Sequence, residues 1–184
     1  MMSRRDFLGG AVTVVSAAAL ARVTEAATQT TLPPGYVPVV TPNGTTLPWR
    51  MDGGVKVFHL IAEPVKREFM DGHSYNCWGY NGQTPGPTIE AIEGDRVRFL
   101  VTNNLPEPTS IHWHGLLLPN GMDGVAGLNQ PHIPPGETWA YEYTLRQNGT
   151  QMYHPHSDEM LQMAMGMMGT FVIHPRSQIG RAHV

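Results

Sequence analysis

From residue 55 onward the chain is divided into short runs rich in β-branched and aromatic residues, each closed by turn-forming residues. The runs cover residues 55–62, 88–92, 96–102, 109–118, 138–145, 150–156 and 169–174. Between them stand Asn81-Gly82, Pro85-Gly86-Pro87, Glu93-Gly94-Asp95, Asn103-Asn104, Pro134-Pro135-Gly136 and Asn148-Gly149. Helices of ordinary length do not survive such punctuation, because Pro lacks a backbone donor and Gly is entropically costly inside an element. Short strands at this spacing predict an all-β chain folded as an antiparallel sandwich or barrel. Only residues 157–168 could form a helical turn. The strand-rich part is long enough to close one core, so residues 55–176 are expected to form one domain.

The flanks differ in character. Ser3-Arg4-Arg5-Asp6-Phe7-Leu8 is a twin-arginine sequence, followed by an apolar run over 9–20. That run is well short of the roughly 20 apolar residues needed to span a bilayer. With the small residues around Ala26 it predicts a leader over 1–26, removed on export. The motif implies twin-arginine export of an already folded protein, so the mature chain is expected in a periplasm or outside the cell. Residues 27–54 are rich in Thr, Pro and Gly and predict an extended arm. Residues 177–184 form a short tail. Its last six residues correspond, under one codon choice, to common sequencing-adapter DNA read in frame, so the tail is expected to be foreign to the domain.

Composition removes several function classes. Twelve Lys and Arg against fifteen Asp and Glu leave a net charge of −3. Without a basic patch beyond the leader, a nucleic-acid partner is excluded. The single cysteine, Cys77, excludes an intrachain disulfide, a thiolate zinc site and an iron–sulfur cluster.

The chemistry is concentrated in two His-x-His pairs, His112-Trp113-His114 and His154-Pro155-His156. On a strand, residues two apart share a face, roughly 6.6 Å apart at about 3.3 Å per residue. Two such strands side by side would present four imidazoles to one space. A lone pair is more often two surface histidines; two pairs, each closing an expected strand, point to metal. Neutral imidazole suits copper, iron, nickel and zinc, and a set without thiolate leans away from structural zinc.

The pairs sit within an ordered series of motifs: Tyr80-Asn81-Gly82-Gln83-Thr84-Pro85-Gly86-Pro87-Thr88-Ile89, Glu93-Gly94-Asp95, Thr102-Asn103-Asn104-Leu105, Ser110-Ile111-His112-Trp113-His114-Gly115, Met122-Asp123-Gly124 and Tyr153-His154-Pro155-His156. Together they resemble the first cupredoxin domain of a laccase-like multicopper oxidase, over residues 55–175. The resemblance implies a cupredoxin-like Greek-key β-sandwich or barrel. It implies that His112 binds a type 2 copper, and that His114, His154 and His156 bind a type 3 copper pair. Half of that trinuclear cluster would come from a C-terminal cupredoxin domain that this sequence does not contain. Asp123 would stand in the outer shell and support protons and water. The implied reaction is one-electron oxidation of a reducing substrate, a phenol or a metal ion, coupled to reduction of O2 to water. By itself the fragment is expected to be inactive, and the mature protein is expected to have no membrane span.

Some residues depart from that pattern or stand outside it. Pro155 takes a position usually held by Ser, and proline confines a strand position to an edge or a bulge. The next histidine after Cys77 is His112, too distant for a blue-copper Cys–His pair, so Cys77 is expected to be a buried core thiol. Met160, Met163, Met165, Met167 and Met168 crowd the segment after the second pair. Thioethers suit Cu(I), which makes Met160, Met163 and Met165 candidate weak contacts, although irregular packing is the favoured reading. His59, His73, His132 and His174 have no partner spacing and are expected to be structural or exposed. The competing function is a periplasmic copper carrier or copper-resistance protein. A copper nitrite reductase is disfavoured because its first domain would need a blue-copper cysteine.

Overall fold

A computed structural model describes residues 32–177; the leader expected over 1–26 and the tail beyond 177 lie outside the described residues. Nine strands are described: β1 Trp49–Asp52, β2 Val55–Met70, β3 His73–Tyr80, β4 Ile89–Ile92, β5 Arg96–Asn103, β6 His112–His114, β7 Thr138–Thr144, β8 Gly149–His154 and β9 Gly169–His174. One short helix, α1, spans Glu159–Ala164. The strands form two sheets. One has the order β1-β2-β5-β7 with β3 hairpinned onto β2; the other runs β4-β9-β8-β6. The all-β sandwich expected from the turn spacing is what forms.

Alternation sets the core. Along β2, β5 and β7 every second residue points inward, including Phe58, Leu60, Phe99, Val101, Tyr141 and Tyr143. Opposite them lie Ile89, Ala91, Trp113, Tyr153, Phe171 and Ile173 from the second sheet. Phe99 is the hub: its ring stacks on Phe58 at 4.9 Å and lies 4.3 Å from Trp113. Burying each such ring stabilises by about 1.5–3 kcal/mol, with about 0.5–1.5 kcal/mol more for each aromatic pair. Trp113, expected to alternate away from its flanking histidines, is fully buried there.

The structure differs from expectation in four respects. First, two of the pairings are parallel, β2 with β5 and β4 with β9. The chain crosses to the other sheet for β4 before returning as β5, and such a crossover brings a strand back in its original direction. Second, β2 continues to Met70 and forms a hairpin with β3, in the register Ala62↔Tyr80 through Met70↔His73. The polar 63–76 stretch hid it, because a two-stranded ribbon reaching past the sandwich need not bury alternate residues. Cys77 lies on this ribbon, opposite Val65, and is half-buried rather than a core thiol. Third, the expected strand over 109–118 shrinks to β6, because the chain turns away after His114. Fourth, the expected arm joins the sandwich: β1 pairs with β2, and Leu47 and Trp49 enter the core. Upstream, Thr46 bridges Thr88, and Val39 N–H donates to the buried Glu90 carboxylate at 3.1 Å.

Candidate metal centre

The four paired histidines meet at the β6 end of the second sheet. β6 and β8 pair antiparallel in the register His112↔His154, Trp113↔Tyr153 and His114↔Met152. Trp113 and Tyr153 face the core; their neighbours on both strands therefore project to the opposite face. That places His112, His114 and His154 together, with the half-buried Met152 sharing their side. His112 is central: its ring centroid lies 5.4 Å from His114, 5.3 Å from His154 and 5.5 Å from His156. Ligand nitrogens of His112, His114 and His154 lie within 4.8 Å of one another.

Each ring is oriented by something behind it. The Nδ1–H of His112 donates to the Asp123 carbonyl at 2.7 Å, leaving its Nε2 as the free lone pair. The Asp123 carboxylate lies 3.6 Å from the same nitrogen. In His154, Nδ1–H donates to the Pro155 carbonyl at 2.9 Å, so Nε2 is bare and faces His114 Nδ1 at 3.1 Å. This is how metal-ligating imidazoles are commonly held, one nitrogen fixed by the protein and the other offered. Burial pushes the His154 imidazole below the ordinary histidine range, with the neighbouring His112 and His114 adding to the effect. The Pro155 carbonyl and Glu159 pull the other way without reversing it. A ring held neutral keeps its lone pair for a metal.

Backbone geometry at Gly124 brings Asp123 into place. Its φ is +87°, and a Cβ there would strike the Ile111 carbonyl and approach the His112 backbone. Only glycine allows both the left-handed conformation and that approach.

Other residues fall where the sequence did not place them. Glu159, the first residue of α1, has its carboxylate 3.5 Å from His156 Nε2 and 4.0 Å from His154 Nδ1. Its i,i+3 spacing from His156, in a segment expected to turn helically, was the available signal. The methionines disperse: Met160 is 90% exposed, Met163 is half-buried and Met167 is in the core. Met165 lines a separate cavity of about 380 Å³ with Phe69, Tyr75 and Cys77. Among the remaining histidines, His59 bonds Thr102, His132 bonds Ser157 at the surface, and His174 pairs with the buried Glu90 at 2.9 Å. His73 is exposed at the hairpin turn.

Known proteins resemble the chain in sequence and in fold. Residues 62–178 match the family model described as multicopper oxidase. Copper resistance protein A of Escherichia coli is 47% identical over 96 residues, covering 52% of this chain and 16% of that protein. Laccase-1 of Cryptococcus neoformans var. grubii is 43% identical over 130 residues, covering 64% of this chain and 20% of that protein. The solved multicopper oxidase of Pseudomonas thermotolerans superposes with a TM-score of 0.68 at 40% identity, covering 70% of this chain and 32% of that one. The chain thus spans about a sixth to a fifth of the length of these curated relatives.

Proposed function

The chain belongs to the multicopper oxidase family, and from that premise we propose that residues 55–176 are its first cupredoxin domain, holding half of a trinuclear copper cluster. The observation that supports this most is the His112↔His154 register, which gathers three imidazoles drawn from both pairs on one face. The donor set fits copper: four imidazoles, no thiolate among them, and tautomers fixed at His112 and His154 by carbonyl acceptors. His112 would hold a type 2 copper, and His114, His154 and His156 a type 3 pair, with the remaining ligands coming from another cupredoxin domain. Copper bound there would supply electron transfer to O2, which is reduced to water while a phenol or a metal ion is oxidised. The Asp123 carbonyl orients His112, and the Asp123 carboxylate beside it can hold a proton or water at the edge of the site. The twin-arginine leader over 1–26 would export the folded chain to the periplasm or beyond. Residues 27–54 would be an arm whose last part, from Thr46 to Asp52, is built into the sandwich, and 177–184 would lie outside the domain.

A copper carrier or copper-resistance role is the second reading, favoured by the similarity to copper resistance protein A. Copper titration of the purified chain tests what both readings share. Bound Cu(II) should show nitrogen superhyperfine structure in its EPR spectrum and no intense blue thiolate absorption. Binding that survives His112→Ala, His154→Ala and His156→Ala together would defeat the ligand assignment. Oxygen consumption by a longer chain carrying a second domain separates oxidase from carrier, since a carrier would consume none.

A further inference from the structure

The ladder that aligns the two histidine pairs stops one residue pair short. β8 ends at His154, whose partner is His112, and Pro155 has no N–H with which to extend the pairing. His156 therefore lies outside the sheet, yet its ring is as close to His112 as those of the other two histidines. Two bonds hold its backbone instead. Its N–H donates to the Ser110 hydroxyl at 3.2 Å, and its carbonyl accepts from Ala126 N–H at 3.2 Å. Ser110 is fully buried and stands two residues before His112. One hydroxyl thus ties the segment carrying the first pair to the last histidine of the second.

The segment around Ser110 is in turn clamped from α1. Gln162 is fully buried and commits its whole amide to residues 107–109. Its Oε1 accepts from the Thr109 hydroxyl at 2.7 Å, and its Nε2 donates to the Glu107 carboxylate and the Pro108 carbonyl, both at 2.9 Å. On the other side of Ser110, Ile111 N–H donates to the Tyr141 hydroxyl at 3.1 Å. Ser110 is therefore fixed from both flanks, and a buried amide stripped of its partners would carry the full desolvation cost.

We infer that Ser110 is the positioning residue for His156, and that Gln162 is the anchor that fixes Ser110. The inference rests on the reading of His156 as a copper ligand. The sheet aligns three of the histidines; this clamp does for the fourth what the ladder cannot.

The test uses the ¹⁵N-labelled 184-residue chain. Amide exchange at His156 is followed by NMR, and Cu(II) affinity by titration with EPR. Ser110→Ala should raise His156 amide exchange while core amides such as Phe99 stay protected. It should also weaken Cu(II) binding by about 10- to 100-fold, the range for lost supporting partners. Gln162→Leu should act in the same direction; Thr109→Val breaks the same clamp with less change of shape should that variant fail to fold. Thr102→Val, which removes a hydroxyl from the other sheet, should alter neither readout. Unchanged His156 exchange and unchanged copper affinity in Ser110→Ala would overturn the inference. If the unmodified chain binds no copper, the ligand reading fails, and with it the proposed role of Ser110; unaltered copper affinity in His156→Ala alone would do the same.

Discussion

His112 stands directly opposite His154 across the β6–β8 ladder, with ring centroids 5.3 Å apart. Because Trp113 and Tyr153 are paired next to them and locked into the core, neither histidine can turn inward without overturning the sheet register. A slip of one residue would send every side chain of the strand to the other face. His112→Ala or His154→Ala should therefore remove a proposed copper ligand and leave the fold intact. Each is expected to cost more copper affinity than the about 10- to 100-fold typical of outer-shell changes. His73→Ala and His132→Ala should leave the copper titration unchanged.

Gly124→Ala should damage the site from outside it. The substitution forces a side chain into a φ of +87° and against the Ile111 carbonyl. The backbone must move, and the Asp123 carbonyl then loses its 2.7 Å bond to His112. Thermal melting should show a loss of about 1–3 kcal/mol, the range for strained left-handed residues, together with weaker copper binding. Wild-type affinity in this variant would separate Asp123 from the orientation of His112.

Tyr153→Phe should separate stability from metal binding. The Tyr153 hydroxyl, fully buried, donates to the Pro87 carbonyl at 2.7 Å, and burial raises its pKa so that it remains a donor. Removing it strands a buried carbonyl at a cost of about 1–3 kcal/mol. Urea unfolding should report that loss, while the ladder and the copper titration stay as they are.

Acid should weaken the metal-free fold through His59 and His154. Burial lowers both below the ordinary histidine value, and His59 also bonds Thr102 through Nε2. With the folded value below the unfolded one, the unfolded chain takes up protons first as pH falls. The stability is therefore fully present above the unfolded value of about 6.5 and is lost as pH falls through the folded values. Melting temperatures should be flat above neutrality and drop on acidification, and His59→Gln should flatten part of that drop. A melting temperature that rises between pH 7 and pH 5 would contradict the burial argument.

Turn residues and alternation are local, so the all-β class, most strand positions and the burial of Trp113 were legible in the sequence. For His112 and His114 the shared face was legible for the same reason, since a period of two fixes it wherever the strand lies; for the second pair it was not, because the expected strand over 150–156 ends at His154. Which histidines face one another was not legible either, because cross-strand register is set by the packing of Trp113 against Phe99, Phe171 and Tyr153. The hairpin through Met70 was not legible, because an outlying ribbon has no core to impose a pattern. The arm from Leu47 to Trp49 became part of the sandwich only because an edge of each sheet was there to receive it. Glu159 and Gln162 carry no motif, and Ser110, which opens the motif around the first pair, has no spacing that announces its bond to His156. Each acts across many residues of sequence or around a helical turn, and hydrogen bonds at such separations exist only once the two sheets and α1 have closed.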